Sequence, residues 1–114
     1  MRTEPMENEV VVKEGRASLR KGINSVAFIG GKLYLTNLRL VFESHGFAQS
    51  KHATIIDLSS IASVQECWTR LLGIIPLVPN GIAIDTTQVQ EYRLALGKRG
   101  TWIDAINTQS QQHQ

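Results

Sequence analysis

The sequence predicts a mainly β domain: a seven-stranded antiparallel sandwich or partly open barrel capped by one C-terminal α-helix. Three observations predict it. Apolar residues recur with period two over most of the chain, the signature of half-buried strands. Aromatics are only 6% of a chain that is 42% hydrophobic, so Val, Ile and Leu must build the core. Two of these are β-branched and favour strands. Only one segment, close to the C-terminus, changes to helical spacing.

The elements follow in order. Val10 and Val12 share a face in the first run, with Val11 between them. Ala17 and Leu19 belong to a strand that carries Arg16, Ser18 and Arg20 on its other face. Val26 and Phe28 follow, and Gly30-Gly31 is expected to interrupt the run. Gly31–Ser44 carries the strongest alternation: Leu33 and Leu35 against Tyr34 and Thr36, then Leu38, Leu40 and Phe42 against Arg39, Val41 and Glu43. Thr36-Asn37 falls where a tight hairpin turns, and Asn tolerates a left-handed backbone there. Further strands are expected at Ala53–Leu58, Ser63–Thr69, Ile82–Thr86 and Glu91–Leu96. Asn80-Gly81 reads as a hairpin turn and Thr87-Gln88 as another. After Gly97, Lys98–Thr108 places Trp102, Ala105 and Ile106 on one helical face, with Ile103 beside them. Such a short helix needs packing on the sheet, with Trp102 as the plug.

A chain of 114 residues holds one core. Residues 1–8 and 108–114 are polar and are expected to lack fixed structure, leaving 9–107 as the domain. The N-terminal segment is acidic and lacks the apolar stretch of a secretory signal. The longest nearly apolar run, Leu71 to Pro79, is far short of the roughly 20 residues of a spanning helix. The single cysteine, Cys67, permits no disulfide within the chain and suits a reducing compartment. The expected location is cytoplasmic.

Twelve Lys and Arg against ten Asp and Glu give a net charge of +2, too little to indicate nucleic acid. The bias lies between Lys13 and Arg39, where Lys13, Arg16, Arg20, Lys21, Lys32 and Arg39 face a single acid, Glu14. Catalytic constellations are absent from the sequence. No Gly-x-Ser-x-Gly elbow, HExxH or Cys–His arrangement occurs, and Gly30-Gly31 opens into a strand rather than a phosphate-cradling helix. His45 and His52 in a polar loop and His113 in the tail make a poor metal set. The expectation is a protein that is not an enzyme and needs no cofactor or metal.

The run Gly31-Lys32-Leu33-Tyr34-Leu35-Thr36-Asn37-Leu38-Arg39-Leu40-Val41-Phe42 resembles the GxLYLTNxRLVF hairpin of GRAM domains, members of the pleckstrin-homology (PH)-like superfold. Ile56-Asp57-Leu58 with Ile61, the closing strand Tyr92–Leu96 and the terminal helix with Trp102 agree with it. The resemblance spans about residues 10–107 and is greatest to short stand-alone bacterial members. It implies a membrane-associated module that binds lipid head groups or proteins without catalysis. Phosphoinositide-binding PH domains often carry K-x(n)-[K/R]-x-R across the first hairpin. Here Leu33 and Tyr34 follow Lys32, so that triad is missing.

Two candidate surfaces emerge. Arg16, Arg20, Lys21, Lys32 and Arg39 could gather at one rim to meet an anionic lipid surface, each worth about 1 kcal/mol near such a membrane. The competing reading makes them solvated strand faces that guard sheet edges, with Arg39 in a structural ion pair. Leu71, Leu72, Ile74, Ile75, Leu77 and Val78 would form an apolar patch if exposed, suited to a membrane or partner. The competing reading folds this segment into the core. The expected function is therefore docking on an anionic membrane or on a membrane-associated protein. The alternative is a protein-interaction or self-association module, a possible homo-oligomer, using the apolar 71–79 loop. Trp68 and Trp102 do not form a base-stacking platform, so no nucleic-acid partner is expected.

Overall fold

A computed structural model describes residues 1–20, 28–45, 53–70, 77–88 and 90–112, with backbone alone at 68–70 and 77–80. The strands are β1 (Val11–Arg20), β2 (Phe28–Thr36), β3 (Arg39–Ser44), β4 (Thr54–Asp57), β5 (Ile61–Arg70), β6 (Leu77–Thr86) and β7 (Glu91–Leu96). Among the described residues a 3-10 turn, Leu58–Ser60, joins β4 to β5, and a helix, α1 (Arg99–Gln111), follows β7. All seven strands lie in one antiparallel sheet ordered β4-β3-β2-β1-β7-β6-β5. The sheet is open, with β4 and β5 at its edges.

Alternation decides which side of each strand is buried. Leu33 and Leu35 on β2, Leu40 and Phe42 on β3, Ile82 and Ile84 on β6, and Leu94 and Leu96 on β7 all point to one side. There they meet Leu58 of the 3-10 turn and Trp102 and Ile106 of α1. The helix buries Trp102, Ile106 and Ser110, one stripe spaced by four, and rests on β5, β6 and the 3-10 turn. Trp102 is 4% exposed, in the plugging position expected of it.

Several boundaries differ from the sequence reading for identifiable reasons. Gly30 and Gly31 continue β2 instead of interrupting it. The reason at Gly31 is close approach: a Cβ there would stand 2.3 Å from the carbonyl oxygen of Glu43 and 2.7 Å from Ser44 Cα. Asn80-Gly81 lies inside β6 rather than at a turn, beside a register shift between Cys67 and Thr69 on β5. Thr87-Gln88 does fall in the connection before β7. Asn37 sits in the β2–β3 turn but not in the left-handed region, which only Asn8 and Lys98 occupy among described non-glycine residues. The turn is instead fixed by Thr36, whose Oγ1 accepts the N–H groups of Leu38 and Arg39 at 3.0 Å each.

Both ends of the chain carry contacts that the sequence reading did not include. The helix continues through Thr108 to Gln111, because Ser110 still faces the body and its hydroxyl donates to the Leu58 carbonyl at 3.4 Å. Residues 1–9 form a strap across the face of β2 and β3 opposite the core. Glu43 accepts the N–H of Arg2 at 3.1 Å and both the N–H and hydroxyl of Thr3 at 2.7 Å. Beneath this strap Tyr34 and Val41 alternate away from the core, yet are only 6% and 0% exposed. A polar composition gave no sign of this, because side chains of the sheet, not apolar burial by the segment itself, hold it.

Candidate functional site

Arg16, Ser18 and Arg20 share the outer face of β1, as the alternation around Ala17 and Leu19 requires. Arg16 stands opposite Lys32 on β2, and Ser18 is flanked by Gly30 on one side and Ala95 of β7 on the other. Small residues at these neighbouring positions leave an open cavity of about 400 Å³, whose lining includes Arg16, Ser18, Gly30, Ala95 and His45. His45 closes one wall. Its backbone N–H donates to the Gly30 carbonyl at 3.0 Å, and its ring stands over the empty Cβ position of Gly30. The cavity thus combines two nitrogen-bearing side chains with a hydroxyl over a nearly side-chain-free floor. Such an arrangement can hold a small anionic group, since cations and a hydroxyl can donate to its oxygens.

The other basic candidates differ in availability. Arg16 is exposed and has no acidic partner among the described residues. Lys32 is half exposed, with its ammonium 3.9 Å from Glu14 and 5.7 Å from the Tyr34 ring centre. Arg20 is engaged by Glu91 at 3.1 Å, and Arg93 holds the same oxygen at 2.7 Å. The Arg93 hydrogen bond, helped by Arg20, keeps the Glu91 carboxyl below its ordinary range against the effect of burial. Arg39 must be removed from an anion-binding set. Its side chain is 9% exposed and its Nε donates to Glu9 at 2.8 Å, because the strap covers this part of β3. Lys21 lies outside the described residues.

The apolar candidates are only partly described. Leu71, Leu72, Ile74 and Ile75 lie outside the described residues. Leu77 and Val78 are not loop residues but open β6, paired with Arg70 and Thr69. In the row Leu19, Leu94, Ile82, Glu66, β1 leaves toward Arg20 on one side and β5 toward Arg70 on the other, while Arg16 and Lys32 lie on the Arg70 side of that row.

Elsewhere the polar groups are structural. Arg99 bridges Glu66 at 3.1 Å and donates to the Cys67 carbonyl at 3.0 Å, tying α1 to β5. Burial pushes the Cys67 thiol above its ordinary value, the reverse of an activated nucleophile. Lys13 sits 5.1 Å from the Trp102 ring centre, covering the plug. Among the described residues no group of three or more His, Cys, Asp or Glu could hold a metal ion, and no helix is long and apolar enough to cross a membrane.

Sequence reading grouped Arg16 and Lys32 in one basic set with Arg20, Lys21 and Arg39; that these two stand opposite each other on β1 and β2 comes from the register. It missed the contribution of His45, which it placed in a loop, and of Ser18, which it treated only as a strand residue. The signal available was the pair Gly30-Gly31, whose missing side chains create the floor.

A single open sheet of seven antiparallel strands with one C-terminal helix is the architecture of the PH-like proteins, and solved structures bear this out. The Vps36 N-terminal PH domain superposes with a TM-score of 0.72 at 14% identity, over 96% of this chain and 84% of that one. The C-terminal domain of an unknown protein from Leishmania infantum gives 0.68 at 17% identity, over 91% and 86%. The Slm1-PH domain in complex with phosphoserine gives 0.64 at 16% identity, over 89% and 96%. No curated protein matches the chain in sequence. The GRAM domain model matches residues 3–99, and the chain belongs to that family. GRAM and PH-like domains are typically non-catalytic modules that bind lipids or proteins.

Proposed function

We propose that this chain docks on anionic membrane surfaces through the outer face of β1 and β2, with the cavity beside Arg16 receiving a phosphorylated head group. The observation that carries the reading is Arg16, free of any acidic partner among the described residues, lining a cavity with His45 and Ser18 while Lys32 stands opposite it on the neighbouring strand. Arg20 lies further along the same strand face, bonded to Glu91, and Lys21, which follows it in sequence, is a further basic candidate. The likeness to a PH domain crystallised with phosphoserine supports the chemistry but concerns that protein alone. Absence of a second basic residue after Lys32 argues for charge-driven, reversible docking over selection of one inositol lipid.

Co-sedimentation with vesicles tests it. Binding is expected to phosphatidylserine-containing vesicles and not to purely zwitterionic ones, and to weaken as salt rises. Arg16→Glu and Lys32→Glu should each weaken it at least about fivefold, the equivalent of about 1 kcal/mol per cation. Retention at zwitterionic vesicles, or no binding to anionic ones at low salt, would end this reading.

A second reading uses segment 71–79 as a protein interface. Leu72→Asp should then abolish a protein complex while leaving vesicle binding unchanged.

A further inference from the structure

We propose that, given membrane docking by the outer face of β1 and β2, Arg2 on the N-terminal strap is a further head-group contact of that face, held in place by Glu43. The cross-strand row that carries the docking cations does not end at Lys32. Arg16 stands opposite Lys32, and Lys32 stands opposite Glu43 on β3. The Glu43 carboxylate accepts the N–H of Arg2 on one oxygen, at 3.1 Å, and the N–H and hydroxyl of Thr3 on the other, at 2.7 Å each. Arg2 is therefore anchored by its backbone over the third strand of the row, two strand spacings or about 10 Å from the strand of Arg16. Its side chain takes no part in the anchoring. Arg2 is exposed, and its guanidinium has no hydrogen bond or ion pair among the described residues.

The acids nearby do not cancel this charge. Glu43 is 7% exposed, and the three donors from Arg2 and Thr3 occupy its oxygens. The strap's own acids are laid elsewhere. Glu9 is bonded to Arg39 and Thr36, and the Glu4 carbonyl accepts from Arg39, so the strap runs from the Lys32 row toward the β2–β3 turn. Thr36 is four residues from Lys32 along β2, about 13 Å. The strap thus brings a cation to the row and carries its carboxylates away from it. Two guanidiniums without acidic partners, Arg2 and Arg16, flank Lys32, whose ion-pair partner among the described residues is the exposed Glu14 at 3.9 Å. Guanidinium donors match phosphate and carboxylate oxygens in pairs. Cations spread along a row suit a bilayer, which presents head groups side by side. A lone soluble phosphate needs only the cavity beside Arg16.

Co-sedimentation of full-length variants with phosphatidylserine-containing vesicles at physiological salt tests the assignment. Arg2→Ala keeps the N–H that binds Glu43. It is expected to weaken binding about fivefold with the melting temperature unchanged. Asn107→Glu makes the same change in net charge at an exposed position of α1, on the opposite side of the sheet, and should bind as wild type does because salt screens that distance. Glu43→Gln keeps an acceptor for the strap and should bind at least as tightly as wild type. Glu43→Ala releases the strap and should bind more weakly, although it too removes an acid from the face. Wild-type affinity in Arg2→Ala, or an equal loss in Asn107→Glu, overturns the role of Arg2 and leaves docking through Arg16 intact. Equal binding by the two Glu43 variants overturns the positioning by Glu43. Should Glu43→Ala fail to fold, Arg2→Ala decides alone. No binding by wild type, even at low salt, overturns docking itself and the role of Arg2 with it.

Discussion

Glu9 meets Arg39 with its side chain 1% exposed, receiving Nε and Nη2 of the guanidinium on separate carboxylate oxygens. The Thr36 hydroxyl adds a third donor at 2.7 Å. One acidic residue of the N-terminal segment is thus tied to the turn that defines the most recognisable hairpin of the sequence.

Removing the guanidinium leaves a buried carboxylate without its cation. Arg39→Met is expected to cost about 3–5 kcal/mol in urea unfolding. The double variant Glu9→Gln/Arg39→Met should recover much of that, because the charge needing compensation is gone. A loss under about 1 kcal/mol in the single variant would mark the pair as an ordinary surface contact.

The pair also sets a pH dependence. The Arg39 hydrogen bond holds the Glu9 carboxyl down from 4.5 to about 2, against the opposing effect of burial. A carboxyl depressed in the folded state stabilises fully above its unfolded value and loses that contribution as the pH falls through its folded value. The stability difference between wild type and Glu9→Gln should therefore shrink from about 4.5 down to about 2. Glu43 acts in the same direction: burial raises it, but bonds from Thr3 and Arg2 outweigh burial and leave it lowered. A difference that stays constant across this range would contradict the assignment.

Gly31→Ala should destabilise by about 1–3 kcal/mol or more, because the new methyl group meets backbone of β3 and not a yielding side chain. Gly15→Ala is a milder counterpart. There a Cβ would stand 3.3 Å from the Trp102 ring, which can shift by a few tenths of an ångström. Thermal melts that reverse this order would refute the packing argument.

Lys98 precedes α1 with φ of 54° and ψ of 49°. Glycine carries no steric penalty in that region, so Lys98→Gly should stabilise the protein by about 1 kcal/mol. Trp102→Ala, four residues on, should cost about 3–5 kcal/mol by emptying the plug position. Urea midpoints with unchanged slopes would measure both.

Much of the fold was legible because alternation speaks directly about burial. Leu33, Leu35, Leu40 and Phe42 were assigned to one face by pattern alone, and all four are buried in the core. Trp102 and Ile106 were likewise legible from helical spacing. Where long-range contacts decide, pattern was silent. Glu9 looks like any acid in a polar tail until the hairpin brings Arg39 to it. Gly30-Gly31 looks like a breaker until β3 is seen to need the space. For the candidate site, alternation put Arg16 on the outer face of its strand, but the cavity beside it was not legible, since it arises from the pairing of Ser18 with Gly30 and Ala95 across three strands.

The strand order has a consequence for how the molecule assembles itself. Neighbouring strands of the first four are also neighbours in sequence, and so are those of the last three. Among the described residues one ladder, Ala17–Leu19 against Leu94–Leu96, unites these two meanders, and it closes the greatest chain separation in the sheet. Local hairpins can form quickly, whereas this distant seam must bear the entropy of loop closure before it is rewarded. The speed of folding is thus governed less by the long hairpins than by a zipper three residues long.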